Sequence, residues 1–420
     1  MEQNRNWAGN YKYSASELHI PETTEQVSEI VTRSRQIKVL GTRHSFNGIA
    51  DCSEIQLSLE KLNRVINLDR ENHRVTVEGG IRYGDLCRYL DKQGYALHNL
   101  ASLPHITVAG ACATATHGSG VRNGNLATAV HSLEIVGADG DVMQFSRDHG
   151  DGVNGTAVGL GGLGVVTKIT LDIIPAFEVS QYVYENLPLK KLEDHFDEIT
   201  SAAYSVSLFT DWKESRFNQV WLKHRTADGA PHWMGPEFFG AVRATGNVHP
   251  VPGYTAENCS EQMGIPGPWF ERLPHFRMEF TPSAGEELQS EYFVPRQFAY
   301  QALCAIDHLR EHISPLLFVS EVRTIAEDEL WMSPCYKQDS VAIHFTWKPY
   351  WHDVQQVLPM IEERLSPFAA IPHWAKLFTM QPPRLQSLYE RLPDFRKLLL
   401  RYDPEGKFRN PFLNDYLMAD

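Results

Sequence analysis

The run Ile37-Lys38-Val39-Leu40 is a short apolar stretch that ends at Gly41. A run of this length bounded by glycine reads as a buried strand. Upstream, Val27, Ile30 and Val31 fall on one helical face, and Thr23 and Gln26 have the spacing of a capping box. The chain therefore opens helix then strand. Residues 65–68 and 75–78 read as further strands, the second ending at Gly79-Gly80. Leu86 and Leu90 share one side of a helix over 85–93 that Gly94 stops. Alternation predicts strands over 130–136 and 165–174.

Residues 101–120 break this patterning. Nearly all are small, and the stretch holds no Asp, Glu, Lys or Arg. A surface loop of that length would carry charge and a packed core would carry large aliphatics. The composition suits a backbone lying directly against something large. Gly159-Leu160-Gly161-Gly162-Leu163-Gly164 fits the G-x-G-x-x-G spacing, but Val165 onward is β-branched and alternating. The helix that a nicotinamide-type fingerprint needs is missing, so the segment reads as a glycine-lined turn.

After about residue 176 the texture changes to aromatics, His and Pro. Residues 204–209, 219–223, 317–323 and 341–347 read as strands. Residues 296–313 read as one helix, with Ala299, Ala302, Ile306 and Leu309 near helical spacing, and 354–365 as another. The Gly- and Pro-punctuated stretch 229–268 reads as irregular. No internal repeat, heptad or low-complexity tract interrupts the chain.

Composition narrows the partners. The 420 residues are 42% hydrophobic and 22% charged, an ordinary globular balance long enough for two domains. With 39 basic and 52 acidic residues the net charge is −13, which argues against nucleic acid or an anionic membrane surface. The N-terminus lacks an apolar signal segment, and no run approaches the roughly 18 apolar residues of a membrane span. The six cysteines are scattered without a C-x-x-C pair. They read as reduced thiols of a cytoplasmic protein, and a monomer is expected. His98, His105, His117 and His131 lack metal-ligand spacing, so no metal is expected.

The turn after the first strand carries Gly41, Thr42, Arg43, His44, Ser45 and Phe46. Gly41 permits close approach of a ligand, and Thr42, Arg43 and Ser45 offer donors suited to phosphate. Taken alone, a strand-ending turn with an ordinary histidine describes it as well. In the second half, Glu321 and Arg323 sit at i and i+2 on one face of a predicted strand. Taken alone, that is a surface ion pair.

Together, Gly41-Thr42-Arg43-His44-Ser45, the Glu78-Gly79-Gly80 strand end and Ala115-Thr116-His117-Gly118-Ser119-Gly120 resemble the flavin domain of the vanillyl-alcohol-oxidase superfamily. Arg43 departs from the glycine common in that motif. Longer words, among them Ala101-Ser102-Leu103-Pro104-His105-Ile106, Pro274-His275-Phe276-Arg277, Leu288-Gln289-Ser290-Glu291-Tyr292 and Pro372-His373-Trp374-Ala375-Lys376, resemble the alditol-oxidising bacterial branch. They span nearly the whole chain. Asp403-Pro404-Glu405-Gly406-Lys407-Phe408 resembles the superfamily's usual ending.

The resemblance implies an α+β protein. A PCMH-type FAD-binding domain would cover 1–176, and a substrate domain with an antiparallel sheet flanked by helices would cover 177–380. The segment 381–420 would return to the first domain. It implies FAD attached covalently through the flavin 8α carbon to His44. Cofactor contacts would come from Gly41, Thr42, Arg43, Ser45, Phe46, Ser102, Thr107, Gly110, Thr114, Ala115, Thr116, His117 and Gly118, with Val166 on the adenine or ribose side. Glu321, Arg323 and Lys376 would be catalytic. Ser102, Thr346 and His344 would join them in binding a polyol, with O2 as electron acceptor and H2O2 as product. An aldonolactone substrate, or an acceptor other than O2, is the alternative within the superfamily. A non-catalytic flavin- or sugar-binding protein is the alternative outside enzymes. No residue stands out as the proton-accepting base.

Overall fold

The computed structural model describes residues 4–149, 152–231, 233–278 and 286–419. Among these residues four sheets form, mixed with short helices. Glu17–His19, Ile55–Ser58 and Ile37–Leu40 make a three-stranded parallel sheet. Val65–Asp69, Arg74–Glu78, Val165–Asp172, Val130–Val136 and Val142–Ser146 make a five-stranded antiparallel one. The helix Thr24–Arg33 starts where its cap predicts: Thr23 Oγ1 accepts from Gln26 N at 3.2 Å. The Gln26 side chain reaches back to Glu22 N, one residue before the cap, so the reciprocal half of the box is displaced.

No helix follows Gly164; strand Val165–Asp172 begins immediately, as its β-branched pattern requires. Within the small-residue stretch a short helix, Val108–Ala113, does form, which the patterning had not revealed.

The largest sheet has ten strands, all between Glu178 and Pro372 and all antiparallel. At its centre Ser205–Thr210, Leu317–Ile325, Ser340–Trp347 and Leu288–Pro295 lie side by side. One face is apolar. Leu208, Val322, Ile343 and Tyr292 pack there against Leu192 and Ile199 of helix Leu192–Thr200, Ala302 and Ile306 of Ala299–Asp307, and Leu358 and Ile361 of Trp351–Leu365. Each such buried side chain contributes roughly 1.5–3 kcal/mol. Because side chains alternate along a strand, the opposite face is free to carry polar groups.

The helix expected over 296–313 is broken. A 3-10 turn at Arg296–Phe298, helix Ala299–Asp307 and helix Arg310–Ile313 replace it. The Asp307 carboxylate, bound by Ser215 and Arg310, fixes the bend. The stretch 229–268 is mostly irregular, with three short strands at Glu237–Phe238, Ala241–Arg243 and Gly267–Pro268.

The C-terminal segment packs on the N-terminal one. Ile37 N donates to Lys407 O at 3.0 Å, and Asn410 Nδ2 donates to the carbonyls of Gly48, Ile49 and Asp51.

Candidate active site

A cavity of about 1190 Å³ runs between the first half of the chain and the polar face of the large sheet. Its long part is lined by Gly41 to Phe46, by Thr107, Gly110, Thr114, Thr116 and His117, and by Gly159 to Gly161, Leu163 and Gly164 with Val166. This is a trough of backbone and small side chains. It is narrowed only where glycine allows: a Cβ on Gly80 would stand 1.8 Å from Leu59 O, and one on Gly79 2.2 Å from Val166 O. Two expected contacts lie behind this wall. Ala115 is a buried residue with φ 55, turning the chain after helix Val108–Ala113, and Gly118 packs against Asn99 and Leu100.

The His44 turn explains its own sequence. Arg43 has φ 64, the left-handed region where glycine is unstrained, so the position where Arg43 departs from the common glycine is the one that demands it. The His44 ring stacks on Trp7 at 5.1 Å between centroids, and Nδ1 lies 3.0 Å from Thr42 Oγ1. Burial, more than nearby His105, pushes the imidazole down to about 4. A neutral ring keeps one nitrogen lone pair, as a nucleophile must. The same turn is stitched to the loop carrying Lys376: Phe46 N donates to Ala375 O at 2.7 Å, and Asn47 Nδ2 donates to Trp374 O and Lys376 O at 2.9 and 2.8 Å.

Charge gathers at one end of the cavity. Strand pairing aligns Phe209, Glu321, His344 and Glu291 in one row across four strands. Arg323, Thr346 and Gln289, two residues along, share that face. Arg323 therefore lies between two carboxylates. Its NH2 is 3.0 Å from Glu291 Oε1, its Nε is 3.4 Å from Glu321 Oε1, and its NH1 donates to Ser102 Oγ at 3.3 Å. Lys376 Nζ is 2.8 Å from Glu291 Oε2 and 2.7 Å from His344 Nδ1. His344 Nε2 lies 3.1 Å from Thr346 Oγ1. Since Lys376 donates to Nδ1, the His344 proton sits on Nε2 and faces Thr346, whose own O–H is left to point elsewhere.

These charges hold each other. Burial would raise Glu291, but Lys376, His117 and His344 outweigh it and keep the carboxyl well below its usual range. Burial likewise opposes, and Arg323 and His275 overcome, so that Glu321 is also held low. Burial pushes Lys376 down while Glu291 pushes it back up. Burial, reinforced by Lys376, pushes His344 to about 4. The site is thus two carboxylates, two cations and neutral histidines.

The structure brings Ser102, Glu321, Arg323, His344, Thr346 and Lys376 together around one end of the cavity. Glu291 and His275 were not anticipated. Both stood inside recognised words, and the alternation Gln289, Glu291, Phe293 signalled a strand face, yet nothing local tells a buried acid from a solvated one. Among the described residues no cluster of His, Cys, Asp and Glu is arranged to hold a metal, and the six cysteines are free. No described helix is long and apolar enough to cross a membrane.

The trough suits FAD. Its glycine-lined length can take a dinucleotide through backbone and hydroxyl donors, and the charged cluster at its end lies beside His44. The comparisons agree. The description "FAD binding domain" matches residues 16–146, and "D-arabinono-1,4-lactone oxidase" matches 285–416. In solved structures the fold resembles cholesterol oxidase from B. sterolicum, with a TM-score of 0.78, 14% identity, and 98% of this chain and 96% of that one covered. It also resembles carbohydrate oxidase from Microdochium nivale, with a TM-score of 0.75, 15% identity, and 98% and 94% covered. With these matches and a relative 49% identical over 98% of both chains, the chain is an FAD-dependent oxidoreductase of the vanillyl-alcohol-oxidase type. Mouse (Mus musculus) L-gulonolactone oxidase is 27% identical over 98% of this chain and 97% of its own. Alditol oxidase from a Streptomyces species is 49% identical over 98% of both chains, and the chain belongs to the alditol oxidase family.

Proposed function

We propose that this protein oxidises the terminal primary alcohol of alditols such as xylitol and sorbitol to the aldose, with O2 as acceptor and FAD tethered through His44. Residues 1–176 with the tail 381–420 would hold the flavin, and 177–380 the substrate. The observation that carries this reading is the neutralised quartet Glu291, Glu321, Arg323 and Lys376 on the sheet face at the end of the trough. An apolar substrate would strand those buried charges, whereas a polyol replaces their lost hydration.

FAD would supply here the hydride acceptor and the passage of the electron pair to O2, so that R–CH2OH and O2 give R–CHO and H2O2. Arg323 and Lys376 converge on one carboxylate and so define a small positive region. An alcohol oxygen held there is favoured as it becomes alkoxide-like. Glu321 accepts hydrogen bonds from neighbouring hydroxyls. Thr346, with its oxygen occupied by His344 Nε2–H, donates to another. Ser102, already bound by Arg323, fixes the guanidinium at the flavin side.

Peroxide release with xylitol, sorbitol and an aldonolactone tests the substrate, and acid precipitation tests the tether. A yellow pellet supports covalent flavin; a colourless pellet under a yellow supernatant refutes attachment at His44. No peroxide with any polyol would refute the oxidase reading. The lactone arm matters because residues 285–416, which hold Glu291, Glu321, Arg323 and Lys376, match the D-arabinono-1,4-lactone oxidase description.

A further inference from the structure

Beneath the substrate face lies a buried chain that the proposed reaction does not yet use. Lys223, on strand Arg216–Arg225, is 1% exposed. Its Nζ meets Leu273 O, Pro274 O and His275 Nδ1, the last two at 3.2 Å. His275 Nε2 lies 2.7 Å from Glu321 Oε1. We propose that Lys223 and His275 are positioning residues, a relay that locks Glu321 as a fixed, anionic hydrogen-bond acceptor for substrate hydroxyls. The inference rests on the polyol reading above.

The bonding pattern dictates the protonation. Two of the three Lys223 partners are carbonyls, which only accept. An ammonium has three N–H donors, so the third is left for Nδ1. With Nδ1 accepting, the neutral ring carries its proton on Nε2 and donates it to Glu321. A neutral amine accepting from Nδ1–H would instead aim a bare Nε2 lone pair at a carboxylate. Burial pushes both groups down, Lys223 to about 7 and His275 to about 4, so the shared proton rests on the amine and not on the ring. Arg323 then binds the same Oε1 from the side at 3.4 Å. Glu321 is held by one hydrogen bond, from His275, and one ion pair, with Arg323, and offers its remaining lone pairs to the cavity.

The surroundings of His275 leave few alternatives. The charged or titratable groups that face it are Lys223 from strand Arg216–Arg225, Glu321 and Arg323 from Leu317–Ile325, and the Cys259 thiol, which lies near Lys223. The rings of Phe209 and Trp221 close on it at 5.4 Å each. Its backbone N–H donates to Ser102 O, so the relay is tied to the residue that Arg323 also grips. The same device occurs twice in the site: Lys376 donates to His344 Nδ1 and turns Nε2–H toward Thr346.

The relay is tested on the flavin-loaded enzyme with Lys223→Met. Without the ammonium, Nδ1–H can turn to the vacated carbonyls and the ring protonates in mild acid. The imidazolium then neutralises Glu321. KM for xylitol is expected to rise about five- to tenfold at pH 5.5 relative to wild type, the loss of a charge-assisted hydrogen bond, and to recover toward pH 8, while kcat changes less than twofold. His275→Gln, whose amide can accept from Lys223 and donate to Glu321, is expected to keep KM within about twofold at every pH. At pH 5.5, below the value to which burial pushes Lys223, imidazole 15N spectra, with His275 assigned by its disappearance in His275→Gln, should show the neutral Nε2–H form in wild type and the imidazolium in Lys223→Met. An Nδ1–H ring in wild type, or KM profiles that stay parallel in all variants, overturns the relay. If Lys223→Met does not fold, the wild-type tautomer and the His275→Gln profile decide. If wild type releases no peroxide from any polyol, the functional reading fails, and the spectra alone still judge the relay.

Discussion

Glu291 and Lys376 stand 2.8 Å apart, with the carboxylate 1% exposed. That carboxylate also takes Arg323 at 3.0 Å, so one acid compensates both cations of the substrate end. Glu291→Gln keeps the shape and removes the charge. Breaking a buried pair in this way is expected to cost about 3 kcal/mol of stability. Lys376, no longer held up by Glu291 against burial, should lose its proton nearer neutrality. Activity of the variant should therefore fall as pH rises through neutrality and recover on acidification, whereas wild type changes little there. Urea unfolding and kcat against pH check both halves, and a variant with wild-type stability and pH profile would contradict the assignment.

How much of this was readable in advance depended on how local each signal was. The cap at Thr23, the strand ending at Gly41 and the strand beginning at Val165 are set by neighbouring residues, and they formed where the pattern placed them, though the last, expected over 165–174, stops at Asp172. Strand Glu178–Pro188 was missed because it is buried on both faces and its polar Ser180 and Gln181 are satisfied or enclosed by distant chain. The row Glu321, His344, Glu291 is a consequence of register between strands far apart in sequence, which no local pattern encodes. Glu321 and Arg323 could be paired from their spacing, but the Lys223–His275 chain behind them joins two further segments and became visible only in three dimensions.

Removing either cation should cost catalysis more than binding. Arg323 and Lys376 face the same small region, and the proposed reaction builds negative charge on one alcohol oxygen there. Lys376→Met and Arg323→Met are each expected to lower kcat about 10²- to 10³-fold, the range seen when one preorganised donor is lost. Because both act on one oxygen, the double variant should lose less than the product of the two. Anaerobic single-turnover bleaching of the flavin by xylitol measures the step directly. Full multiplicativity would mean that the two cations serve different oxygens.

Acid should destabilise the fold before the carboxylates titrate. His275 and His344 are each pushed to about 4, against about 6.5 in an unfolded chain. Between those values these two rings bind protons in the unfolded state that they lack in the folded one, so stability falls as pH falls from 6.5 to 4. Asp328, pushed up to about 6 chiefly by burial, works in the opposite direction over about 3.9 to 6 and offsets part of this. The depressed Glu291 and Glu321 add to the loss only below about 4.3. A melting temperature that declines steadily from pH 6.5 to 4.5 is expected. A flat profile there would mean that these imidazoles are not buried neutral.

Lys38 joins the first half of the chain to the tail. Its fully buried Nζ donates to Gly161 O at 2.9 Å, Phe408 O at 3.1 Å and Leu160 O at 3.4 Å. Lys38→Met fills similar space but strands those carbonyls, a loss of about 2–4 kcal/mol at pH 7. The pH dependence separates this from a simple packing defect. Burial pushes Lys38 down to about 7, while an unfolded lysine titrates near 10.4. Between these values the unfolded state holds a proton that the folded state lacks, so this group makes wild type more stable as pH rises. Lys223, also pushed to about 7, does the same in both proteins and cancels from the comparison. The stability gap between wild type and Lys38→Met should therefore widen from pH 7 to 9 by up to ~1.4 kcal/mol per pH unit. Urea midpoints at the two pH values, with unchanged m, measure it; a gap independent of pH would show that Lys38 keeps its proton throughout and that only its hydrogen bonds were lost.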